Sequence, residues 1–522
     1  MQFLNISSYF NEAIVTLIFR SLAFSVIVFI LIHKWLKRPR NFPPGPIGLP
    51  VIGIAHKITN RAEVALMKLS WKHGPIMGIK LLRQFTVVFS DFEVLQQTLV
   101  KQGQIFSGRP TSIMFETFTR NRGVLAIDGP RWRENRRFTA ATIRRFFSSK
   151  QVLEEKMVDE MIAMARHIQT IRKKPFDFSD IITHTVSNIL CNLAFGERFE
   201  FNDNSFLSKA RAVIDWFNGN SNKFTMLVMA PYLRFLPPFD KCVQGLRKAC
   251  DELVESLKPI VHQHKEGFDF YEIRDFVDAY FQEIEKNKDQ PNSFYKEAEL
   301  MALLRDLFVA GTDTTVTTFR WTIIYLINRP HVQRKIQREI DRVIGPDARP
   351  KASHMYEMHY TQAVMQEMFR IRPAGPLGLT HRTTEATKVM GYDIPKNTQV
   401  LTNFWAVHHD PKVWGDPEVF RPERFLDDEG KFHKPSNVLT FSLGSRHCLG
   451  ENFAWIEYFF FLVILLQRFH LYPEPDDVEI SEECPRSGQF LIAPSHKIRV
   501  KERFSRTKSI REFQEAMNNN CS

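Results

Sequence analysis

Paired cysteines are missing from this chain. Its 522 residues hold six cysteines, Cys191, Cys242, Cys250, Cys448, Cys484 and Cys521, with no CxxC pair and no regular spacing. Disulfide frameworks, zinc sites and iron–sulfur clusters all need such clustering. Those classes are set aside, and a reduced, cytosol-facing chain is expected. A G-x-G-x-x-G phosphate-binding loop is also missing, so the chain carries no nicotinamide or flavin fingerprint of its own. No paired Cys/His finger and no glycine–aromatic RNA signature occurs. The formal net charge of +12 therefore points away from nucleic acid and toward an anionic membrane face or an acidic protein partner. Polar aromatics are scarce, with 8 Trp and 11 Tyr against 46 Phe. Aromatic rings without polar tips suit an oily pocket as well as a plain core.

The longest apolar stretch lies near the start. Ala13 to His33 reads AIVTLIFRSLAFSVIVFILIH, interrupted by Arg20. A membrane span needs about 20 apolar residues, and this stretch suffices if Arg20 snorkels to the interface. No small-residue cleavage site follows. Lys34, Lys37, Arg38 and Arg40 come instead, a basic cluster that belongs on the cytosolic side. Residues 1–36 are expected to form an uncleaved anchor with a short lumenal N-terminus. Residues 37–54, which contain Pro43-Pro44-Gly45-Pro46-Ile47-Gly48-Leu49-Pro50, read as a basic and proline-rich hinge.

Beyond about residue 60 there is no internal repeat, low-complexity segment or convincing domain break. Apolar residues recur at spacings of three and four over 132–171, 178–196, 243–264, 272–287, 294–328, 330–344 and 357–371, which predicts helices. Strand-like runs are short, as at Thr86-Val87-Val88-Phe89 and Gln399-Val400-Leu401. After residue 372 the chain turns irregular until a last helix after Gly450. The expected class is mainly α with small β-sheets (α+β), in one large domain over 55–502 with a flexible tail at 503–522.

One cysteine stands apart. It lies in Phe441-Ser442-Leu443-Gly444-Ser445-Arg446-His447-Cys448-Leu449-Gly450, just ahead of the apolar helix 452–467. Gly444 and Gly450 allow a tight loop around the sulfur, and the coming helix N-terminus and Arg446 favour a thiolate. The pattern F-x-x-G-x-R-x-C-x-G resembles the haem-binding signature of the cytochromes P-450 at every fixed position. The resemblance extends over nearly the whole chain, including Asn121-Arg122-Gly123 and Ile273-Arg274-Asp275-Phe276-Val277-Asp278-Ala279-Tyr280. It is similar to the animal microsomal clan of family 2 and the steroid 17-hydroxylases. It implies the cytochrome P-450 fold behind a transmembrane helix, haem b as cofactor, Cys448 as the axial iron ligand, and a haem propionate on Arg446.

Further residues follow from the same resemblance. Ala310-Gly311-Thr312-Asp313-Thr314-Thr315 puts poor helix formers inside a long helical pattern, a local violation that marks a functional site. It implies that Asp313 and Thr314 relay protons during oxygen activation. Glu367 and Arg370, with Arg424 in Pro422-Glu423-Arg424-Phe425, are implied to form a buried ion-pair network that braces the cysteine loop. Trp132, Arg136, Arg109 and His381 match positions that contact propionates. Phe308, Ala310, Leu377, Leu379 and Phe490 are implied to line the substrate pocket, and Phe224–Leu233 to form a loop that admits substrate from lipid.

Electrons must then arrive from a partner. Arg131, Arg133, Arg137, Arg144 and Arg145 suggest, by resemblance, a docking face for NADPH–cytochrome P-450 reductase and for cytochrome b5. The expected activity is insertion of one atom of O2 into a lipophilic substrate (fatty acid, steroid, terpenoid or xenobiotic) at the endoplasmic reticulum membrane. Two alternatives stay open: a reductase-independent haem-thiolate isomerase or synthase, and a non-catalytic membrane-tethered haem or lipid carrier.

Overall fold

Each run of apolar residues spaced three and four apart folds as a helix with that face inward. The computed structural model describes residues 16–30, 33, 37–50, 52–58, 61–81, 84–148, 151–200, 205–476, 478–484 and 490–504. Its longer helices after residue 60 are α1 (Ala62–His73), α2 (Gly129–Ser148), α3 (Gln151–Ile171), α4 (Ser179–Phe195), α5 (Ser205–Met229), α6 (Phe239–Glu266), α7 (Phe276–Lys286), α8 (Glu297–Asn328), α9 (Pro330–Val343), α10 (His359–Ile371) and α11 (Glu451–Arg468). The strands are β1 (Ile76–Leu81), β2 (Gln84–Phe89), β3 (His381–Arg382), β4 (Thr387–Val389), β5 (Tyr392–Ile394), β6 (Gln399–Thr402), β7 (Phe469–Pro473) and β8 (Ile498–Glu502). The main sheet has the order β1-β2-β6-β3, with β2 and β6 parallel. The mainly α reading with small sheets holds.

Helices α8 and α11 form the centre. About three quarters of the residues of each are buried, as the apolar character of most of their faces requires. Phe319 of α8 stacks on Phe461 of α11 with centroids 3.9 Å apart, and Thr322 shares a 2.6 Å hydrogen bond with the Tyr458 hydroxyl. Amphipathic helices surround this pair. In α9, for example, Val332, Ile336 and Ile340 are buried along one face.

Three expectations need correction. The pattern 132–171 is two helices, α2 and α3, divided between Ser148 and Gln151, where small polar residues compete with the helix for backbone hydrogen bonds. Phe224 to Met229 is the last part of α5 rather than a loop, and a 3-10 turn Pro231–Phe235 follows. The helix stops where proline removes the next backbone donor. A 25-residue helix, α5, also occupies a region for which no helix was expected. By contrast, α8 runs unbroken through Ala310–Thr315. The hydroxyls of Thr314, Thr318 and Thr322 each donate to the carbonyl four residues earlier, at 2.8, 2.9 and 2.8 Å.

Residues 16–30 are helical, with Leu17, Phe19, Leu22, Phe24 and Phe29 all more than 60% exposed. No helix among the described residues is long and apolar enough to cross a membrane. Ala13–Val15, Leu31, Ile32 and Lys34, and most of the tail, lie outside the described residues. The proline-rich segment is packed onto the sheet: Gly78 donates its N–H to Pro44 O at 2.8 Å, and Arg38 donates to the carbonyls of Gly45 and Pro46, each at 2.8 Å.

Two buried ionic devices fix the parts of the fold that matter for the site. Glu367 and Arg370, both fully buried, pair at 2.7 Å. Arg424 joins the same carboxylate at 3.2 Å, and Arg370 also donates to the carbonyls of His408 and Pro417 at 2.8 Å. Thr440 and Leu439, which lead into the cysteine loop, bond to Phe369 O and to the His408 ring at 2.5 and 2.7 Å. Glu367, Arg370 and Arg424 thus form one buried ion-pair cluster beside the segment that leads into the cysteine loop. The second device ties α6 to the entrance of α7: His264 stands 3.0 Å from Asp275, and its imidazole is pushed up to about 9, chiefly by that hydrogen bond.

Glu367→Ala is expected to cost about 3–5 kcal/mol, because two buried guanidinium groups lose their carboxylate. Thermal unfolding followed by circular dichroism measures this, and an unchanged Tm contradicts it. The His264 pair has the opposite pH signature to a carboxylate. Its folded value lies above the ordinary histidine value of about 6.5, so its contribution is complete below that pH and is lost as pH rises through about 9. The Tm gap between wild type and His264→Gln should be widest near pH ~6 and fade toward pH ~10; a gap that widens with pH refutes the pairing.

Candidate active site

The cysteine loop is a tight structure held from both sides. Gly444 has φ +69°, and a Cβ there would fall 1.7 Å from Leu99 O. Glycine is required at this position. Gly450 is different: φ is −95° at the N-cap of α11, and a Cβ would meet the Cys448 sulfur at an ordinary 4.0 Å. The N–H of Cys448 donates to Phe441 O at 2.9 Å. Phe441 packs edge-on to Phe369 at 5.0 Å, linking the loop to α10.

Of the five cysteines described, Cys191, Cys242, Cys250 and Cys484 are buried and only Cys448 is exposed. Yet protein surrounds its sulfur closely enough that burial pushes the thiol up, opposed by the Gly450 N–H and by Arg136. The thiol thus keeps exposed surface while protein groups crowd its sulfur.

Three arginines crowd beside it. Arg109 and Arg446 are each more than 90% buried. Arg446 donates to the carbonyls of Ser107 and Ile127 at 2.8 and 2.6 Å. Arg109 donates to Leu125, Leu379 and Thr380 at 3.1, 2.9 and 3.0 Å. Half-buried Arg136 donates to His447 O at 2.5 Å. Carbonyl oxygens satisfy these donors but bring no full negative charge. Burial first and mutual repulsion second push Arg446 down to about 7 and Arg109 to about 10, with only Asp128 acting against them. A buried cation without a counter-ion costs several kcal/mol. The arrangement is incomplete without an anion.

The expected partners of that anion lie here as well. The Arg446 guanidinium sits 3.6 Å from the centroid of the Trp132 ring. The Trp132 indole N–H is buried with no hydrogen-bond partner. The buried His381 ring is 2.8 Å from Phe106 O through Nδ1. Burial, then Arg109, lowers it to about 3, so the ring is neutral and its proton stays on Nδ1. Cationic arms, an orphan donor and a walled thiolate source fit a flat cofactor with carboxylate arms and a thiolate-seeking metal.

Across the centre, α8 leaves one stripe uncovered. Between Glu299 and Phe319 only Leu307, Ala310, Gly311 and Thr314 are part-exposed. Their spacing of three, one and three places them on one helix face. Asp313 is 9% exposed, next to that stripe. Ala310, Leu377, Leu379 and Phe490 keep part-exposed surface, and Leu377 also packs against the core beside β1 and β2. Phe308 keeps no such surface: it is wholly buried and stacks on Phe195 at 5.6 Å, so it belongs to the helical core. Of the five arginines on α2 expected to meet a redox partner, Arg133, Arg137, Arg144 and Arg145 are exposed. Arg131 is half-buried and donates to Asn121 O at 2.6 Å.

Sequence reading missed what holds the loop 121–128 that feeds carbonyls to the arginines. Gly123 donates to Glu299 at 2.8 Å, and Val124 and Leu125 donate to Asp306 at 2.7 and 3.0 Å. Asn135 of α2 joins Glu299 at 2.6 Å. Gly123, with φ +92°, comes so close that a Cβ would fall 2.2 Å from Asp306 Oδ2. The Asn121-Arg122-Gly123 motif was visible; two buried carboxylates in the apolar α8 were the unused signal.

Comparison with known proteins agrees with this geometry. The Cytochrome P450 family model matches residues 43–500. Human cytochrome P450 2U1 is 35% identical over 501 residues, covering 90% of this chain and 91% of that protein. Human cytochrome P450 2J2 is 33% identical, covering 92% and 95%. Rat cytochrome P450 2B2 is 33% identical, covering 90% and 96%. The chain therefore belongs to the cytochrome P450 family, whose members are haem-thiolate monooxygenases that use O2 and electrons supplied by a reductase.

Proposed function

We propose that this chain hydroxylates or epoxidises a lipophilic substrate (fatty acid, steroid, terpenoid or xenobiotic) at the endoplasmic reticulum membrane, with electrons from NADPH through a flavoprotein reductase. The observation that carries this reading is the exposed thiol of Cys448 near buried arginines opposed by the Asp128 carboxylate. Cys448 thiolate would hold the iron. Arg446, Arg136, Trp132, Arg109 and His381 would hold the propionates, and Phe441 and Gly444 would shape the loop. The haem, once bound, supplies the electron transfer and oxygen activation that no side chain can.

The chain's own residues do the rest. Arg446, Arg136 and Arg109 would offset the propionate charges, and His381, held neutral chiefly by burial and then by Arg109, would stand beside them. Asp313 and Thr314, adjacent on α8, carry protons to the reacting oxygen; the Thr314 hydroxyl at rest donates to Ala310 O and must rotate to serve. Ala310, Leu377, Leu379 and Phe490 exclude water and orient an apolar substrate. Exposed Arg133, Arg137, Arg144 and Arg145 suit an acidic reductase, and cytochrome b5 would use the same face. The outward apolar side chains of residues 16–30 support a membrane anchor over 1–36, and exposed Met226, Tyr232, Phe235 and Leu236 support membrane contact beside the substrate path.

The test joins a variant to a substrate panel. Wild-type protein with reductase and NADPH should give a long-wavelength carbon monoxide band and a hydroxylated or epoxidised product from one member of a panel of fatty acids, steroids, terpenoids and drugs. Cys448→Ala should lose the band and the product together. A wild-type protein that rearranges lipid peroxides without NADPH refutes the monooxygenase reading, and a Cys448→Ala protein with an intact band refutes the ligand.

A further inference from the structure

Arg305 and Asp306 are neighbours on α8, and both are buried, at 3% and 1% exposure. Asp306 divides its two oxygens. Oδ2 accepts the N–H groups of Val124 and Leu125, and Oδ1 accepts Arg305 Nε and an outer guanidinium nitrogen at 3.1 and 2.7 Å. Adjacent helical side chains project about 100° apart, so the long arginine curls round the helix to reach its neighbour. Its guanidinium carbon also lies 4.5 Å from the centroid of the Phe118 ring. A buried arginine keeps its charge, and a desolvated cation is drawn to an aromatic face more strongly than an exposed one.

Phe118 belongs to the short helix Ile113–Thr119 and starts a run of ring contacts. It meets Phe217 of α5 edge-on at 5.6 Å. Phe217 meets Phe224 at 5.6 Å, and Phe224 returns to Phe115 of the short helix at 5.6 Å. Phe115 and Phe118 stand three apart and Phe217 and Phe224 seven apart, so each pair shares one helix face. Trp216 backs Phe217 at 5.2 Å, and a Cβ on Gly245 of α6 would fall 3.0 Å from its indole nitrogen. Arg120, which caps the short helix, pairs with Asp251 of α6, and both side chains are more than 40% exposed. An exposed pair of that kind contributes little.

The contact between Arg305 and Phe118 lies two residues before Leu307, where the open stripe of α8 begins. We propose that Arg305 is a positioning residue that sets which ligands the pocket admits. Buried itself, it touches no ligand. It holds Phe118, and through the four rings it keeps the short helix and α5 closed over that end of the stripe. A closed aromatic cover favours a slender or flat apolar ligand over a bulky one, and specificity is that difference of affinities. The inference rests on the reading of the stripe as a wall of the substrate pocket.

The test titrates the full chain, haem-loaded, with 1-phenylimidazole as a small flat ligand and clotrimazole as a bulky one. Binding is followed by the shift of the Soret band. Arg305→Met should raise the affinity for clotrimazole about tenfold relative to phenylimidazole. Arg305→Lys, which keeps a cation on the ring, should recover part of the wild-type ratio. Phe118→Leu leaves the pair of Arg305 and Asp306 intact and should give the same shift, so it decides the matter if Arg305→Met does not load haem. In a thermal double-mutant cycle, the Tm loss of Arg305→Met combined with Phe118→Leu should be smaller than the sum of the single losses. An unchanged affinity ratio in Phe118→Leu, or additive Tm losses, overturns the proposal alone. A wild-type chain that loads haem but whose Soret band neither ligand moves takes down the pocket reading as well.

Discussion

A buried positive charge needs a partner, and this fold concentrates several beside one thiol. Arg446 and Arg109 are buried, repel one another and Arg136, and have Asp128 as the nearby carboxylate that opposes the repulsion. Such a cluster costs stability, which a dianionic ligand among the arginines would restore. Under the proposed function the same ligand would carry its metal to Cys448, so charge compensation and ligation would coincide. The orphan indole N–H of Trp132 belongs to the same logic.

The rest of the architecture serves to hold that cluster in place. The brace of Glu367, Arg370 and Arg424 fixes the backbone leading to the cysteine loop. Glu299 and Asp306 of α8 fix the loop that presents carbonyls to Arg446 and Arg109. Helix α8 therefore has two duties. Its first turns anchor the cofactor loop, and its middle turns leave one stripe open where small and hydroxylated residues face the interior. A rigid, fully buried helix can set the spacing between those two places more tightly than a loop could.

Much of this was legible in the sequence because motifs with fixed spacing leave few alternatives. The signature around Cys448 pointed to the ligand loop, and Trp132 and Arg136, four apart on a helix, had to share a face. Helical periodicity located most helices but not their joints: 132–171 looked continuous because α2 and α3 carry similar spacing on either side of Ser148. Helix α5 was missed because its mixed polarity gives a weak stripe. Phe308 was misplaced because an aromatic near a pocket motif looks the same in sequence whether it faces the pocket or Phe195. Asp128, Glu299 and Asp306 were invisible as site residues, since the groups that tie them to the site are backbone N–H groups and side chains far away in the chain.

The claim that an anion completes the arginine cluster can be measured directly. Haem-free protein is titrated with haem and with haem dimethyl ester, whose carboxylates are blocked, and binding is followed by the Soret band and by the rise in Tm. The account predicts that haem binds far more tightly than the ester and that Arg446→Met removes most of the difference. Equal affinity for the two ligands in the wild-type chain would contradict it.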